Sequence, residues 1–450
     1  GSTEDSITRA ITIKAEPTFL TLAEFDGHIQ VSMQRITETN RTFQGSVIDE
    51  IKWRDLYTFS STGKTEFGNV TTVNLVSKAT ESALALKERK FNCLITRKLP
   101  SRISGSTFTT ALYETRDIAD ILSSVCLDPF IGNRALAEID FDSIYDTSAE
   151  IADYFGSDKV SEFAYTFDSD NLSFEETVSM ISSCAFSIAY RRGNVIKLSF
   201  EKANNNPTLL FNHRNKVPKT EVRTFSFGNN NDNDGIELEY TNPDDDTLVT
   251  YYLPTDQSAV NPRKVEIIGI RSQLQAHFHA NRYYNKLRYQ NTTLEFEGTQ
   301  ETNLLILQDK IVVTDGTRSG VQDGEILAVN GLEVTLSQAV TLNSGTNYLF
   351  LQHVDGTLEA IAVATGSTNR KLVLAAAPRL PLAVDYDLYA RCVFNLVGTS
   401  PGRASEFLVV EKNIRSPFSA TIKSINYDTR YYQNDLDLIN NVVNENGVIL

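Results

Sequence analysis

GIRSQLQAHFHANRYYNKLRYQNTTLEFEGTQETNLLILQDKIVVTD, residues 269–315, decides how the chain folds. Ile270, Leu274 and Phe278 recur at four-residue spacing, and Thr292 to Glu297 then alternate, so the apolar period changes from about 3.6 to about 2 near Asn291. The spacing predicts an amphipathic helix that runs into a strand, followed by a turn and a second apolar strand ending in Ile311-Val312-Val313.

Upstream, TFSFGNNNDNDGIELEYTNPDDDTLVTYYLP (residues 224–254) reads as two strands, Ile236 to Tyr240 and Leu248 to Leu253, joined by a polar turn at Asn242-Pro243. Residues 107–200 are mixed. Thr115 is placed to cap a helix through Ile118, Ile121 and Leu122. In LSFEETVSMISSCAFSIAYRRGNVIKLSF, Ser173 precedes Glu175 and Glu176 at the positive end of a helix that Arg191-Arg192-Gly193 is expected to end, with a strand from Val195 to Phe200. Residues 11–76 read as short β segments, and residues 76–100 as helix with Pro100 marking the exit. Downstream, VTDGTRSG, VNGLEVTL, LNSGTNYLF, HVDGTLEAIAVA and TNRKLVLA repeat short strands with Gly, Asn and Asp turns, the spacing of a small oligosaccharide/oligonucleotide-binding type (OB-like) barrel.

Several phrases in order resemble the phage tail-tip hub family of the host-specificity protein J type. They are residues 269–315, Phe91 to Pro100, DPFIGNR at 128–134, the 236–253 hairpin, and FSATIKSINYDTRYYQNDLD at 418–437, the most specific of them. The resemblance is weakest in the first fifty residues and in the small barrel. With the periodicity it gives a mainly β chain with α+β parts. The expected domains are a β-barrel hub domain at 1–100, a mixed α/β hub domain at 101–215, a second β-barrel hub domain at 216–300 with 394–437, an inserted OB-like barrel at 301–393 and a tail at 438–450. The resemblance implies a structural virion protein, not an enzyme. It would be the trimeric central hub of a tail tip, joining tube to tip and forming a channel for DNA ejection, with a role in host attachment. Its expected partners are two further copies, the distal tail, tape measure and tip fibre proteins, phage DNA passing without specific binding, and a host surface receptor. Assembly in the host cytoplasm would precede its place in the virion. A receptor- or glycan-binding module and a cell-wall hydrolase are the alternatives.

Composition agrees with a packed chain: 450 residues, 41% hydrophobic and 22% charged, room for about three domains. No run approaches the roughly 18 apolar residues of a membrane helix. The opening GSTEDSITRA lacks an initiator Met and an apolar signal core, and its Gly-Ser reads as an expression remnant, so a piece of a longer polypeptide is expected. A net charge of −15 argues against general nucleic-acid affinity, which needs clustered Lys and Arg; carboxylates around a channel would instead let DNA slide. Cys93, Cys126, Cys184 and Cys392 each lie in an apolar run, which suits buried thiols.

No cofactor or metal is expected. GTSPG at 398–402 matches a nucleophile elbow, but Pro401 has no N–H to offer an oxyanion and EFLVVEK reads as strand. GKT at 63–65 has Thr58 where a phosphate loop needs Gly. His277 and His279 stand about 200° apart on the predicted helix, so they cannot share a metal, and one is expected to pack while the other meets solvent. Asn230, Asp232 and Asp234 before Gly235 start like a calcium loop, but Thr241 stands at its twelfth position. The carboxylate pairs Asp168/Asp170, Glu175/Glu176 and Asp244–Asp246 read as loop charges or helix-end electrostatics, and no carboxyl group looks buried or paired. Tyr283-Tyr284 and Tyr431-Tyr432 are candidates for a subunit contact, with packing inside the chain as the equal alternative.

Overall fold

The computed structural model describes residues 95–167, 172–204, 207–226, 233–243, 247–314, 320–384, 391–398 and 406–450. The chain divides into two compact units, Gly1–Phe91 and Asn92–Leu450, and every described residue belongs to the second. The β segments expected at 11–76, the GKT loop, Cys93 and nearly all of the helix expected at 76–100 lie outside the described residues. Pro100 itself sits inside a strand, β1 (Lys98–Ser104), which pairs with β2 (Thr107–Glu114).

Three helices follow. The first, α1 (Ile118–Leu127), is capped by Asp117, whose side chain accepts from the Ala119 N–H, and not by Thr115, whose hydroxyl instead reaches Asp120 at 3.0 Å. Asp140 caps α2 (Phe141–Phe155), and Gly156 ends it in the left-handed region at φ 81°. Ser173 and Glu176 form the reciprocal capping box of α3 (Phe174–Cys184), as their spacing predicted. However, α3 stops at Cys184. The Arg191-Arg192-Gly193 expected to end it lies instead in a hairpin of β3 (Ser187–Arg192) and β4 (Val195–Phe200), turned by Gly193 at φ 65°. A glycine with positive φ serves a helix end and a tight hairpin equally, which is why sequence could not separate them.

The next strands are β5 (Leu209–Phe211), β6 (Val222–Phe225), β7 (Gly235–Thr241), β8 (Leu248–Leu253) and β9 (Pro262–Glu266). β7 pairs with β8 antiparallel and with β9 parallel. The decisive stretch forms α4 (Gln273–Tyr289) and β10 (Thr292–Gly298), with the handover at Asn291 where the period changes. α4, the three first helices and the sheets β3–β4 and β7–β9 share one apolar core that includes Phe155, Phe278, Ile144 and Leu238.

After β11 (Lys310–Val313) come β12 (Gln322–Asn330), β13 (Glu333–Leu336), β14 (Asn347–Gln352), β15 (Leu358–Thr365), β16 (Lys371–Leu374) and β17 (Val393–Gly398). These six close into a barrel in the order β12-β13-β16-β15-β14-β17 around Leu349, Leu351, Phe394 and Ile326. Gly331 turns the β12–β13 hairpin at φ 61°, as its Asn-Gly pair predicted. β18 (Glu406–Ser416) and β19 (Ser419–Asn426) return to a six-stranded sheet, β5-β11-β18-β19-β10-β6, antiparallel except for β5 beside β11. Two strands therefore change place against the sequence reading. Lys310–Val313 belongs to this sheet, where Ile311 and Val313 point into its core, and Val393–Gly398 closes the barrel. The architecture is mainly β with α+β parts.

Candidate functional site: a buried ionic clasp

α4 is buried on every side over its first turns, and its polar residues must find partners inside the protein. Arg282 does so by a fork onto Asp435: Nε donates to Oδ1 at 3.0 Å and Nη2 to Oδ2 at 2.8 Å, while Nη1 donates to the Glu201 carbonyl at 2.9 Å. The guanidinium carbon lies 4.6 Å from the centroid of the Phe186 ring, 5.1 Å from Tyr432, 5.3 Å from Phe155 and 5.9 Å from Phe200. One turn on, Lys286 donates to the Glu201 carboxylate at 2.6 Å, which also accepts from Gln308 at 3.0 Å and the Tyr432 hydroxyl at 3.2 Å. Tyr154 donates to Asp435 at 3.0 Å, and Asn285 meets Asn434 and Gln433. The segment after β19 is thereby tied to α4. Asp428 caps its short 3-10 turn, Thr429–Tyr432, and the buried Tyr431 hydroxyl donates back to the Asn426 carbonyl at 2.6 Å.

Burial and pairing pull in opposite directions on the charges of this clasp. Burial opposes ionisation of Arg282, but Asp435 and Glu201 outweigh it and hold the guanidinium above its ordinary value. Burial likewise opposes the Glu201 carboxylate, and Lys286 with Arg282 bring it below the usual range. At Asp435 burial wins and raises the carboxyl, against the opposing pull of Arg282 and Tyr154. The paired groups tie α4 to the segments on either side of it.

Beside it, Tyr251, His277 and Asp437 line up as hydroxyl, imidazole and carboxylate, at 2.8 Å and 2.9 Å. The row resembles a nucleophile relay, but burial pushes the Tyr251 phenol up to about 12 and the His277 imidazole down, against the opposing pull of Asp437. All three side chains are buried. Both histidines of the α4 pair are buried too, which corrects the expectation that one meets solvent. His279 donates to the Cys184 carbonyl at 2.9 Å and stacks on Phe186, and burial pushes it down to about 3. They diverge as their spacing requires.

Elsewhere a shallow cavity of about 110 Å³ lies between α3 and the β3–β4 hairpin, lined by Phe174, Val178 and Ile196, with Glu175 and Arg191 paired to each other at its rim. Paired charges neutralise each other and converge on nothing.

No protein-family model and no curated protein matches this chain. Among solved structures it is similar to "The crystal structure of the tail protein from Neisseria meningitidis MC58", with 8% identity and a TM-score of 0.27 over 65% of this chain and 68% of that one. A likeness of that size carries no argument.

The remaining predicted residues separate. Tyr431 and Tyr432 are 0% and 4% exposed and are spent inside the clasp, whereas Tyr283 is 36% exposed and Tyr284 half-buried. Asp234 accepts from the Val260 and Asn261 backbone N–H groups at 2.7 and 2.8 Å, tying two loops; Asn230 and Asp232 lie outside the described residues. So do Asp168/Asp170, Asp244–Asp246 and all of GTSPG after Gly398, although EFLVVEK is strand as read. Cys126, Cys184 and Cys392 are buried free thiols, and burial pushes Cys126 up to about 12. Among the described residues no three His, Cys, Asp or Glu side chains gather to hold a metal, and no helix is long and apolar enough to cross a membrane. The sequence reading missed the clasp, having taken no carboxyl group to be buried or paired. Its available signal was Arg282 and Lys286 at i and i+4 on a helix otherwise rich in buried positions.

Proposed function

We propose that the chain is a structural virion protein, the trimeric central hub of a phage tail tip of the host-specificity protein J type. It would join tube to tip around a channel for DNA ejection, take part in host attachment and catalyse nothing. One observation carries this reading. The two stretches with the closest resemblance to that family, 269–315 and 418–437, interlock: β10 pairs with β19 from Thr293 to Gly298, and Arg282 forks onto Asp435. Motifs far apart in sequence thus meet as one packed unit, as a resemblance rooted in a shared fold requires. Its partners on this reading are two further copies, the neighbouring distal tail, tape measure and tip fibre proteins, and a host surface receptor. DNA would pass a channel that the net charge of −15 helps to keep free of sticking. Gold labelling of the chain in tail particles tests the proposal: label at the distal end on the tail axis supports it, and label along the tube or absent from particles refutes it.

The closed barrel keeps a receptor- or glycan-binding module as a second reading. The large hydrophobics it exposes among the described residues are the aliphatic Val329, Leu332, Val354 and Val373, a poor platform for sugar stacking. Saturable binding of the full chain to a glycan array would favour this module. A cell-wall hydrolase is the least supported, and clearing of peptidoglycan in a zymogram would restore it.

A further inference from the structure

We infer that the exposed arginine–tyrosine surface at the C-terminal end of α4 receives the acidic ridge of α2 from a second copy of the chain, an inference that rests on the ring-forming reading above. Arg288 is exposed, lies 5.5 and 5.6 Å from the ring centroids of Tyr284 and Tyr289, and has no carboxylate partner among the described residues. A guanidinium stacked on a ring keeps its in-plane N–H groups free for a carboxylate, and stacking fixes the side chain before the partner arrives.

The complementary surface is on α2. Asp142, Asp146, Glu150 and Asp153 follow at spacings of four, four and three, so they fall on one helix face, and all four are exposed. Asp142 pairs with Arg102 and Glu150 with Lys202, which leaves Asp146 and Asp153 without an ion-pair partner among the described residues. Copies that each carry −15 repel, so association needs a local cationic surface set against an acidic one. Two unlike surfaces on one chain make a head-to-tail contact, the kind that closes into a ring.

The test is sedimentation of the full chain across a concentration series, comparing wild type, Arg288→Glu, the pair Asp146→Arg/Asp153→Arg, and all three changes combined. Far-UV circular dichroism checks that these exposed changes leave the fold intact. Either reversal is expected to raise the self-dissociation constant at least about 10-fold, the combination to return it to within about threefold of wild type, and ionic strength of about 1 M to weaken the wild type. Wild-type assembly that is indifferent to either reversal, or that the combination fails to restore, overturns this contact and leaves the hub reading standing. A wild type that stays monomeric at every concentration overturns both the contact and self-association of the chain.

Discussion

Replacing Asp435 by alanine strips the carboxylate from a cation that water cannot reach: the Asp435 side chain is 1% exposed and that of Arg282 is 5%. Nε and Nη2 of Arg282 lose their acceptors together, and Tyr154 loses its own. Leaving a buried charge without its partner costs about 3–5 kcal/mol. The Glu201 carbonyl and the four surrounding rings remain, which places the cost near the lower end, about 3 kcal/mol. At an unfolding entropy of about 2.1 cal/mol/K per residue, a unit as long as Asn92–Leu450 should melt about 4 °C earlier.

Far-UV circular dichroism and hydrogen exchange over 273–289 and 429–443 are the assays. Fluorescence of Trp53, the single tryptophan, would report on the other unit. Arg282→Met with Asp435→Leu removes both charges at once and is expected to recover most of the loss, because a buried ion pair is worth little beyond an apolar pair of similar size. A single Asp435→Ala change that moves the melt by less than about 2 °C and leaves α4 exchange unaltered would falsify the account of the clasp.

Three further outcomes are expected. Burial raises the Asp309 carboxyl to about 6, outweighing the Ile306 N–H that it accepts, so between the unfolded value and about 6 the unfolded chain holds fewer protons and stability falls as pH rises. Asp309→Asn should therefore gain about 1–3 kcal/mol at pH 7–8 and nothing near pH 3.5, read from urea midpoints at both values. His279 is held near 3 by burial while the unfolded chain takes a proton near its ordinary 6.5; stability is thus full above that value and falls on acidification, by up to about 1.4 kcal/mol per pH unit. His279→Gln should flatten this slope between pH 6.5 and 4.5, and an unchanged slope would assign the acid loss elsewhere. A methyl group at Gly447 would overlap the Leu274 backbone nitrogen from a φ of +77°, so Gly447→Ala should loosen the C-terminal segment by about 1–3 kcal/mol, seen as faster exchange of residues 442–450.

What sequence made legible was local. The period change at Asn291 set the α4–β10 boundary, Ser173 and Glu176 announced their helix three residues apart, and Asn330-Gly331 announced a hairpin. These signals live within one turn or one loop. Pairing across the chain left no such mark: β11 and β18 flank the barrel insertion yet lie side by side, and apolar alternation says that a strand has a buried face without saying which sheet buries it. The clasp was hidden for the same reason, since Glu201, Arg282 and Asp435 meet only after folding. The histidine expectation failed on a different point. Spacing fixes the angle between two side chains on a helix, but α4 is enclosed on both of those sides, so divergence did not mean exposure.

The insertion of the barrel has a mechanical consequence that follows from period-2 geometry. On β5 and β11, Leu209, Phe211, Ile311 and Val313 face the core of the six-stranded sheet, while Leu210 and Val312 between them face the other way and meet Phe350 and Val393 of the barrel. The same two strands thus belong to two cores. Fully buried Asn212 reinforces the junction by donating to the Gly324 carbonyl at 3.1 Å, and Gln352 of the barrel accepts the Leu210 N–H at 2.8 Å. Swinging the barrel away would expose the apolar side chains and orphan the amides together, so barrel and sheet move as one body. Continuous strand pairing then carries any displacement from β11 through β18 and β19 to β10, which α4 feeds directly. If the chain works as a hub, the joint that opens a channel is more economically placed between copies than between these parts of one copy.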